Sequence, residues 1–155
     1  MKILVINGPN LNLTGKREKK VYGKLSLEEG MKLLKESHPE IRFSFYQSNV
    51  EGEIINRIHK AEGNYEGIII NPGAYTHTSI AIADAISAVE IPVVEVHLSN
   101  IFSREDYRHI SYTGSRCIGT IGGFGFDSYR LAAAALLRYL NRDLSRAEKV
   151  RKPRR

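Results

Sequence analysis

The sequence has few of the features that would tie it to a membrane or to an oxidising compartment. Its 155 residues include a single cysteine, Cys117, so an internal disulfide is excluded and a reducing compartment is favoured. No apolar run approaches the roughly 20 residues of a membrane-spanning helix, and the amino terminus shows no signal-peptide pattern. We therefore expect a cytoplasmic protein with no membrane partner.

The common cofactor motifs are also missing. The sequence places no group of cysteine, histidine or carboxylate residues at metal-ligand spacing. No Gly-x-Gly-x-x-Gly motif follows the first apolar run, and no Gly-Lys-Ser/Thr P-loop is present. The Gly-Gly-Phe-Gly stretch at residues 122–125 resembles a phosphate loop only weakly. We expect neither a metal nor an organic cofactor.

The net charge of +6 is distributed unevenly along the chain. Residues 142–155 carry +5 of this charge, which leaves residues 1–141 nearly neutral. We interpret residues 1–141 as one folded domain and residues 142–155 as a basic carboxyl-terminal tail, which we expect to be flexible. Because the charge belongs to the tail and not to the domain, we do not expect a nucleic-acid partner.

Apolar segments typical of strands alternate with segments of helical periodicity, which predicts an α/β domain. The predicted strands are 3–6, 41–47, 67–71, 92–97 and 117–121, and the predicted helices are 27–37, 79–89, 127–140 and one that Asn49 caps and Gly63 ends. Ser26 and Glu29 have the spacing of a capping box at the first helix. The alternation favours a flavodoxin-like, doubly wound, five-stranded parallel sheet with strand order 2-1-3-4-5.

Two of the buried strands end in similar turns, Asn-Gly-Pro-Asn at residues 7–10 and Asn-Pro-Gly at residues 71–73. In the predicted order these are neighbouring strands, and the chain reverses its winding direction between them. Ligands of open α/β sheets bind at such a reversal, at the carboxyl ends of the strands. The sequence therefore predicts a site beside these two turns.

Residues suited to acid–base chemistry and to anion binding follow the same strand ends. They are Asn10, Arg17 and Tyr22 after the first strand, Asn71 and His77 after the third, Glu95, His97 and Ser99 at the fourth, and Arg104, Arg108 and His109 in the loop beyond it. Taken singly, Tyr22 could be a surface aromatic and His97 a core histidine. Glu95 and His97 are two residues apart in a strand, so they share a face and the carboxylate can hold the imidazole.

Tyr22 could act as a base if a cation lowered its pKa. A free tyrosine has a pKa of about 10, and lowering it to about 7 requires about 4 kcal/mol. One cation about 4 Å away in a partly dry cleft supplies roughly that energy, and Arg17 lies five residues away in the same loop. A tyrosinate and a histidine together suit proton abstraction beside a carbonyl, followed by loss of a protonated hydroxyl.

The helix predicted at residues 79–89 is apolar nearly all round, which is typical of a helix buried on both sides. In a chain of this length, we expect one side to contact another subunit. Asp84 is the one charge in this segment, so it requires a partner at that contact.

Six motifs are specific enough to identify a family. They are Ile-Asn-Gly-Pro-Asn-Leu-Asn-Leu at 6–13, Gly-x-Arg-Glu at 15–18, Tyr-Gly at 22–23, Ile-Asn-Pro-Gly-Ala-Tyr-Thr-His-Thr-Ser at 70–79, Glu-Val-His-Leu-Ser-Asn-Ile at 95–101 and Arg-Glu-x-x-Arg at 104–108. Together they resemble the type II 3-dehydroquinate dehydratases, from residue 2 to about residue 141. The resemblance implies anti elimination of water from 3-dehydroquinate through an enolate, giving 3-dehydroshikimate in the shikimate pathway of aromatic amino acid biosynthesis.

The resemblance also implies roles for the residues that match its motifs. Tyr22 would accept the C2 proton, Arg17 would stabilise the tyrosinate and the enolate, and His97 would protonate the departing hydroxyl. The remaining matched residues would position or bind the substrate: Asn10, Asn71, His77, Leu98, Ser99, Arg108, and Asp84 from a neighbouring subunit. The family assembles trimers into a homododecamer and uses no cofactor.

Two features depart from the family pattern, Lys19 in place of a usual proline and the basic tail. Lys19 affects the expected stiffness of the loop, not the chemistry. Two other functions remain open at this stage, a flavin-binding electron carrier on the same fold and a non-catalytic binding module. The flavin carrier would require a hydroxyl-rich phosphate loop after the first strand, where this chain has Asn-Gly-Pro-Asn.

Overall fold

The structure is a computed structural model that describes residues 1–16 and 24–151, with side chains described to residue 142. Within these residues, five strands and four α-helices follow one another. Their bounds are β1 Lys2–Asn7, α1 Leu27–Ser37, β2 Arg42–Gln47, α2 Glu51–His59, β3 Gly67–Asn71, α3 Ile80–Ser87, β4 Val93–His97, β5 Gly119–Gly122 and α4 Asp127–Arg151. Short 3₁₀ helices lie in the loops that follow β1, β3 and β4.

The strands form one parallel sheet in the order β2-β1-β3-β4-β5, so the predicted fold class is confirmed. Every residue of β3 and β4 is buried, as expected for central parallel strands covered on both faces. The last residues of β1 and β3, Asn7 and Asn71, lie opposite each other in register. The two turns that follow these strands therefore begin side by side.

Helices cover both faces of the sheet and enclose two apolar layers. One layer packs α1 and α4 against one face, with Met31, Leu34 and Leu136 among its buried side chains. The other packs α2 and α3 against the opposite face, with Ile54 and Ile82 at its centre. Full burial of such side chains contributes about 1.5–3 kcal/mol each before the entropy cost is subtracted.

The helix boundaries confirm one sequence prediction and correct another. At α1 the Glu29 N–H donates to Ser26 Oγ at 3.1 Å, and the Ser26 N–H donates to Glu29 Oε2 at 2.7 Å, as the capping box predicts. The prediction that Asn49 caps α2 is wrong, because Val50 occupies the N-cap position. The Asn49 side chain is engaged elsewhere, since its Oδ1 accepts a hydrogen bond from the Asn10 N–H.

Several other elements also differ from their predicted extents. Helix α4 continues to Arg151, well beyond the predicted end at Leu140, because the segment between them contains no glycine or proline. Strand β5 begins at Gly119 and is half-exposed, since it is an edge strand with only β4 as a neighbour. The loop after β4 contains two 3₁₀ turns, Ile101–Ser103 and Asp106–Arg108. Among the described residues, no helix has the length and apolar character to cross a membrane.

Candidate active site

A cleft opens at the carboxyl ends of β1, β3 and β4, where the sequence predicted a site. Its empty space, counted out to the open mouth and therefore including solvent, is about 760 Å³. Seven of the ten predicted site residues line it: Asn10, Asn71, His77, His97, Leu98, Ser99 and Arg108. Further lining comes from Pro9, Leu11, Leu13, Thr14, Gly73, Ala74, Ile101 and Arg104.

The structure describes only one of the other three predicted site residues. Arg17 and Tyr22, the predicted transition-state stabiliser and base, lie outside the described residues, as does Lys19. Asp84 is exposed on α3 and does not line the cleft of its own chain. Its predicted place in the site of a neighbouring subunit is compatible with this exposure and stays a prediction.

The turns after β1 and β3 pack directly against each other and form the floor of the cleft. The Gly8 N–H donates to the Asn71 carbonyl at 2.8 Å. A Cβ atom on Gly8 would lie 2.4 Å from the Pro72 carbonyl oxygen, so no other residue fits there without moving the backbone. Gly73 in the other turn has a φ of +60°, and a Cβ atom there would lie 3.0 Å from the Pro9 carbonyl oxygen. Glycine at these two positions is what brings the turns together.

Asn10 is held at the rim by an unusual backbone conformation. Its φ of 66° lies in the left-handed region, which asparagine tolerates better than most residues. Its N–H donates to Asn49 Oδ1 at 2.9 Å, and Gln47 Nε2 donates to the same oxygen at 3.1 Å. The β2–α2 loop therefore fixes the start of the 3₁₀ helix Leu11–Leu13, which forms one side of the cleft.

His97 and Glu95 form the pair that strand geometry predicted. His97 Nε2 lies 2.8 Å from Glu95 Oε1, and both side chains are buried. A carboxylate can only accept, so Nε2 carries the proton of this hydrogen bond. Nδ1 is therefore the ring nitrogen that remains for a ligand in the cleft. The structure confirms this pairing of a carboxylate with the predicted acid.

Two hydroxyl groups that the sequence analysis missed hold the Glu95 carboxylate in place. Ser111 Oγ donates to Glu95 Oε1 at 2.8 Å, and Thr113 Oγ1 donates to Glu95 Oε2. With His97, these donors give the fully buried carboxylate three partners. A Cβ on Gly114 would lie 2.9 Å from Glu95 Oε1, so the backbone closes the remaining side. No sequence pattern pointed to this, because both hydroxyls belong to an irregular loop.

His77 lies beside His97 and is held in its neutral form. The two rings are nearly parallel, with centroids 6.5 Å apart. His77 Nδ1 donates to the Ile110 carbonyl at 2.7 Å, which leaves Nε2 as an acceptor. Burial lowers the pKa of His77 below its ordinary value, and the nearby His97 and Arg108 lower it further. A neutral imidazole here can accept a hydrogen bond from a hydroxyl group without adding charge.

Two arginines make the opposite wall cationic. Arg104 and Arg108 both line the cleft, and both approach the exposed carboxylate of Glu105, at 3.5 Å and 2.9 Å. The Arg108 guanidinium also lies 5.2 Å from the centre of the Tyr107 ring. Guanidinium groups in the wall of the cleft favour an anionic ligand such as a carboxylate.

A buried tyrosine beneath the cleft also escaped the sequence analysis. Tyr129 belongs to α4, and its hydroxyl joins the side chains of Asn7 and Asn71 at the ends of β1 and β3. In a sequence without an alignment, Tyr129 is one more apolar position of a helix. Nothing in its local pattern indicates a contact with the site.

The described residues contain no group of three or more histidine, cysteine or carboxylate side chains that could hold a metal ion. The cleft instead combines a histidine–carboxylate pair, a neutral histidine, two amides and a cationic wall. Such a set can bind a small, hydroxylated carboxylate and move protons at it.

Comparison with known proteins identifies the family to which this chain is similar. The model of the family described as dehydroquinase class II matches residues 1–137. A 3-dehydroquinate dehydratase from Thermoanaerobacter pseudethanolicus is 58% identical over 137 residues, covering 87% of this chain and 93% of the relative. A second one, from Carboxydothermus hydrogenoformans, is 56% identical over 144 residues, covering 92% of this chain and 94% of the relative.

Solved structures agree with the sequence relatives. The crystal structure of a type II dehydroquinase from Butyrivibrio crossotus superposes with a TM-score of 0.86 at 49% identity, covering 88% of this chain and 97% of that one. These matches give no support to a flavin-binding electron carrier. The chain belongs to the class II dehydroquinase family.

Proposed function

We propose that this protein is a type II 3-dehydroquinate dehydratase, a hydro-lyase that converts 3-dehydroquinate to 3-dehydroshikimate and water. The family and the names of the relatives support this substrate. The observation that carries the proposal is the convergence of seven matched residues on one cleft with a cationic wall. The product belongs to the shikimate pathway of aromatic amino acid biosynthesis.

His97 acts in this proposal as the acid that protonates the departing C1 hydroxyl. The geometry supports donation from Nδ1, because Nε2 is occupied by Glu95 at 2.8 Å. After His97 gives up its Nδ1 proton, its Nε2 proton stays hydrogen-bonded to the Glu95 carboxylate. The ring therefore need not rotate between turnovers. Ser111 and Thr113 hold the carboxylate still while the ring changes charge.

Tyr22 is the proposed base, with Arg17 stabilising the tyrosinate and the enolate. The described chain before this segment reaches the cleft, because Thr14 lines it.

The remaining matched residues bind the substrate in this proposal. Arg108 and the neighbouring Arg104 favour the substrate carboxylate, and neutral His77 accepts from a ring hydroxyl. Asn71 donates to a substrate oxygen, and Asn10 holds the carbonyl side or an ordered water. Leu98 and Ser99 complete the wall beside His97, with backbone and side-chain polar groups of Ser99 facing the substrate hydroxyls.

Assembly is part of the proposal, because Asp84 would act across a subunit contact. The described surface of α3 supports such a contact: Ile80 is 63% exposed, and Asp84 lies one helical turn further along. Trimers formed through this face, and a homododecamer built from them, would place Asp84 beside a neighbouring cleft.

We further propose a cytoplasmic location, supported by the single, partly buried Cys117.

The direct test of the proposed function is a spectroscopic assay. The purified protein is mixed with 3-dehydroquinate, and the rise in absorbance of the conjugated enone product is followed. We expect turnover without added metal or cofactor, before and after dialysis against a chelator. A protein that binds the substrate without forming the enone would be a binding module, and the proposed function would be wrong.

A further inference from the structure

Tyr129 connects the two strand ends at the base of the cleft. It lies in the first turns of α4 and is fully buried, with its ring stacked 6.0 Å from Phe126. Its hydroxyl donates to Asn7 Oδ1 at 2.6 Å and accepts from Asn71 Nδ2 at 3.0 Å. Helix α4, which comes after all five strands in the sequence, thus contacts β1 and β3 at their last residues.

The directions of these hydrogen bonds are set by a backbone group. The Gly73 N–H donates to Asn71 Oδ1 at 3.2 Å, and a backbone N–H cannot exchange its role for that of an acceptor. Asn71 must therefore present its oxygen to Gly73 and its Nδ2 group to Tyr129. The phenol has one proton, which it gives to Asn7.

Rotation of the Asn71 amide by 180° would break both of its hydrogen bonds. Its oxygen would then face the phenol oxygen, and its Nδ2 group would face the Gly73 N–H. Both of these contacts would leave buried polar groups without partners, which is costly. Asn71 is only 3% exposed, so solvent offers little compensation.

The orientation of Asn71 matters because Asn71 lines the cleft. One of its two Nδ2 protons is used by Tyr129, and the other is available to a ligand. The cleft therefore meets a donor at this position and not an acceptor. A donor here suits a substrate carbonyl, hydroxyl or enolate oxygen.

Burial also keeps Tyr129 itself out of the proton chemistry. It raises the pKa of the phenol well above its ordinary value, and the hydrogen bond from Asn71 opposes this only partly. The phenol stays neutral and retains the proton that Asn7 accepts. Tyr129 thus differs from Tyr22, for which the proposed role requires loss of the proton.

We propose that Tyr129 is a positioning residue, which holds Asn71 with its amide donor directed at the substrate. This inference rests on the proposed function for its kinetic consequence. The structural part of the inference, that the Asn71 amide is held in one orientation, does not depend on that function. Tyr129 does not touch the substrate and acts through Asn71 alone.

A double-mutant cycle tests whether Tyr129 acts through Asn71. Tyr129→Phe removes only the hydroxyl, and we expect kcat/KM to fall by about 10- to 100-fold, as for a displaced substrate-orienting group. In the Asn71→Ala background, the same change should cost less than about threefold, because the group it positions is gone. If the two losses multiply in the double variant, Tyr129 does not act through Asn71 and the inference is wrong.

Tyr65→Phe is a matched control for the loss of a tyrosine hydroxyl. The Tyr65 hydroxyl accepts a hydrogen bond from Arg57 Nη2 at 3.5 Å. The Tyr65 side chain packs against the apolar layer under α2 and α3. We expect its removal to leave kcat/KM unchanged. The melting temperatures of both variants are measured, and the kinetic assays are run well below the lower of the two. Loss of stability is thereby separated from loss of function.

A second measurement decides the structural claim without any substrate. The side-chain amide signals of Asn71, assigned by their loss in Asn71→Ala, are followed by nuclear magnetic resonance. We expect slow hydrogen exchange in the wild type and in Tyr65→Phe, and at least tenfold faster exchange in Tyr129→Phe. Unchanged exchange would overturn the inference. If the wild type proves inactive on 3-dehydroquinate, only the proposed function fails, and the exchange rates still decide the role of Tyr129.

Discussion

At the scale of single residues, the cleft depends on groups whose hydrogen-bonding roles cannot be exchanged. Glu95 can only accept, so it fixes which nitrogen of His97 carries a proton toward the protein. The Ile110 carbonyl likewise requires a proton on His77 Nδ1. Two adjacent histidines are thereby given different functions, one as a candidate proton donor and the other as a neutral acceptor.

The roles of the proposed acid and base can be separated by isotope exchange. Tyr22→Phe and His97→Ala should each lower kcat by about 10²–10⁴-fold, the usual effect of losing one positioned proton-transfer group. His97→Ala should still exchange the C2 proton of the substrate with solvent deuterium, because enolate formation precedes loss of the hydroxyl. Tyr22→Phe should lose this exchange. If Tyr22→Phe exchanges as fast as the wild type, Tyr22 is not the base.

The hydroxyl groups around Glu95 give a second prediction at this scale. Thr113→Val removes the donor to Glu95 Oε2 while keeping a similar shape. We expect the free energy of unfolding to fall by about 1–3 kcal/mol, the cost of leaving a buried acceptor without a partner. We also expect kcat to fall by about tenfold with little change in KM, since His97 acts on the departing group and not on binding.

Ser37→Ala is the control for this substitution, because its hydroxyl donates to the Leu34 carbonyl on a helix far from the cleft. Denaturant unfolding and steady-state kinetics are measured on both variants. A Thr113→Val protein with wild-type kcat would show that the hydroxyl serves stability alone.

At the scale of secondary-structure elements, the site depends on two short turns and on one face of a helix. The turns after β1 and β3 meet because glycine allows an approach that any Cβ would prevent. Helix α3 buries Ile82 and Ile86 in the core and exposes Ile80 and Asp84 on its other side. In the proposed assembly, this exposed side of α3 would contact a neighbouring subunit.

Asp84→Ala tests this face of α3. We expect a higher KM for 3-dehydroquinate and a weaker trimer contact, because the variant removes the one charge that would reach a neighbouring cleft. Sedimentation velocity at micromolar concentration, combined with kinetics, measures both effects. Glu36→Ala, which removes an exposed carboxylate from α1, should change neither quantity. A wild-type protein that sediments as a fully active monomer would contradict the proposed assembly.

At the scale of the whole molecule, sheet order and charge distribution separate the site from the tail. The order β2-β1-β3-β4-β5 puts the carboxyl ends of β1, β3 and β4 next to one another, so three loops share one cleft. The net charge of +6 arises almost entirely from residues 142–155, beyond the segment that the family model matches. Catalysis and the basic segment are therefore expected to be independent.

Truncation after Arg142 tests this independence. We expect kcat/KM within a few-fold of the full-length value, because the cleft is built from residues that precede α4. We also expect the truncated protein to bind nucleic acid more weakly than the full-length protein in a filter-binding assay. Added salt should remove the difference between the two proteins. Loss of turnover or of the oligomer on truncation would show that the end of α4 is structural.

Much of this fold follows from local patterns in the sequence. Uninterrupted apolar runs predicted β1, β3 and β4, and the alternation with helices predicted the sheet order. Because side chains alternate along a strand, the pairing of Glu95 with His97 was also predictable. The predicted cap at Asn49 was wrong, since a long-range partner, the Asn10 N–H, outcompeted the local one.

The sequence by itself determined which strand ends meet and which polar residues follow them. Only the tertiary structure decided how those residues are held. The link from Tyr129 to Asn7 spans 122 positions in the chain, and the links from Ser111 and Thr113 to Glu95 come from an irregular loop. Periodicity specifies the face of an element, but hydrogen bonds between elements depend on register, crossover and loop path. Those are properties of the packed chain, and no local pattern encodes them.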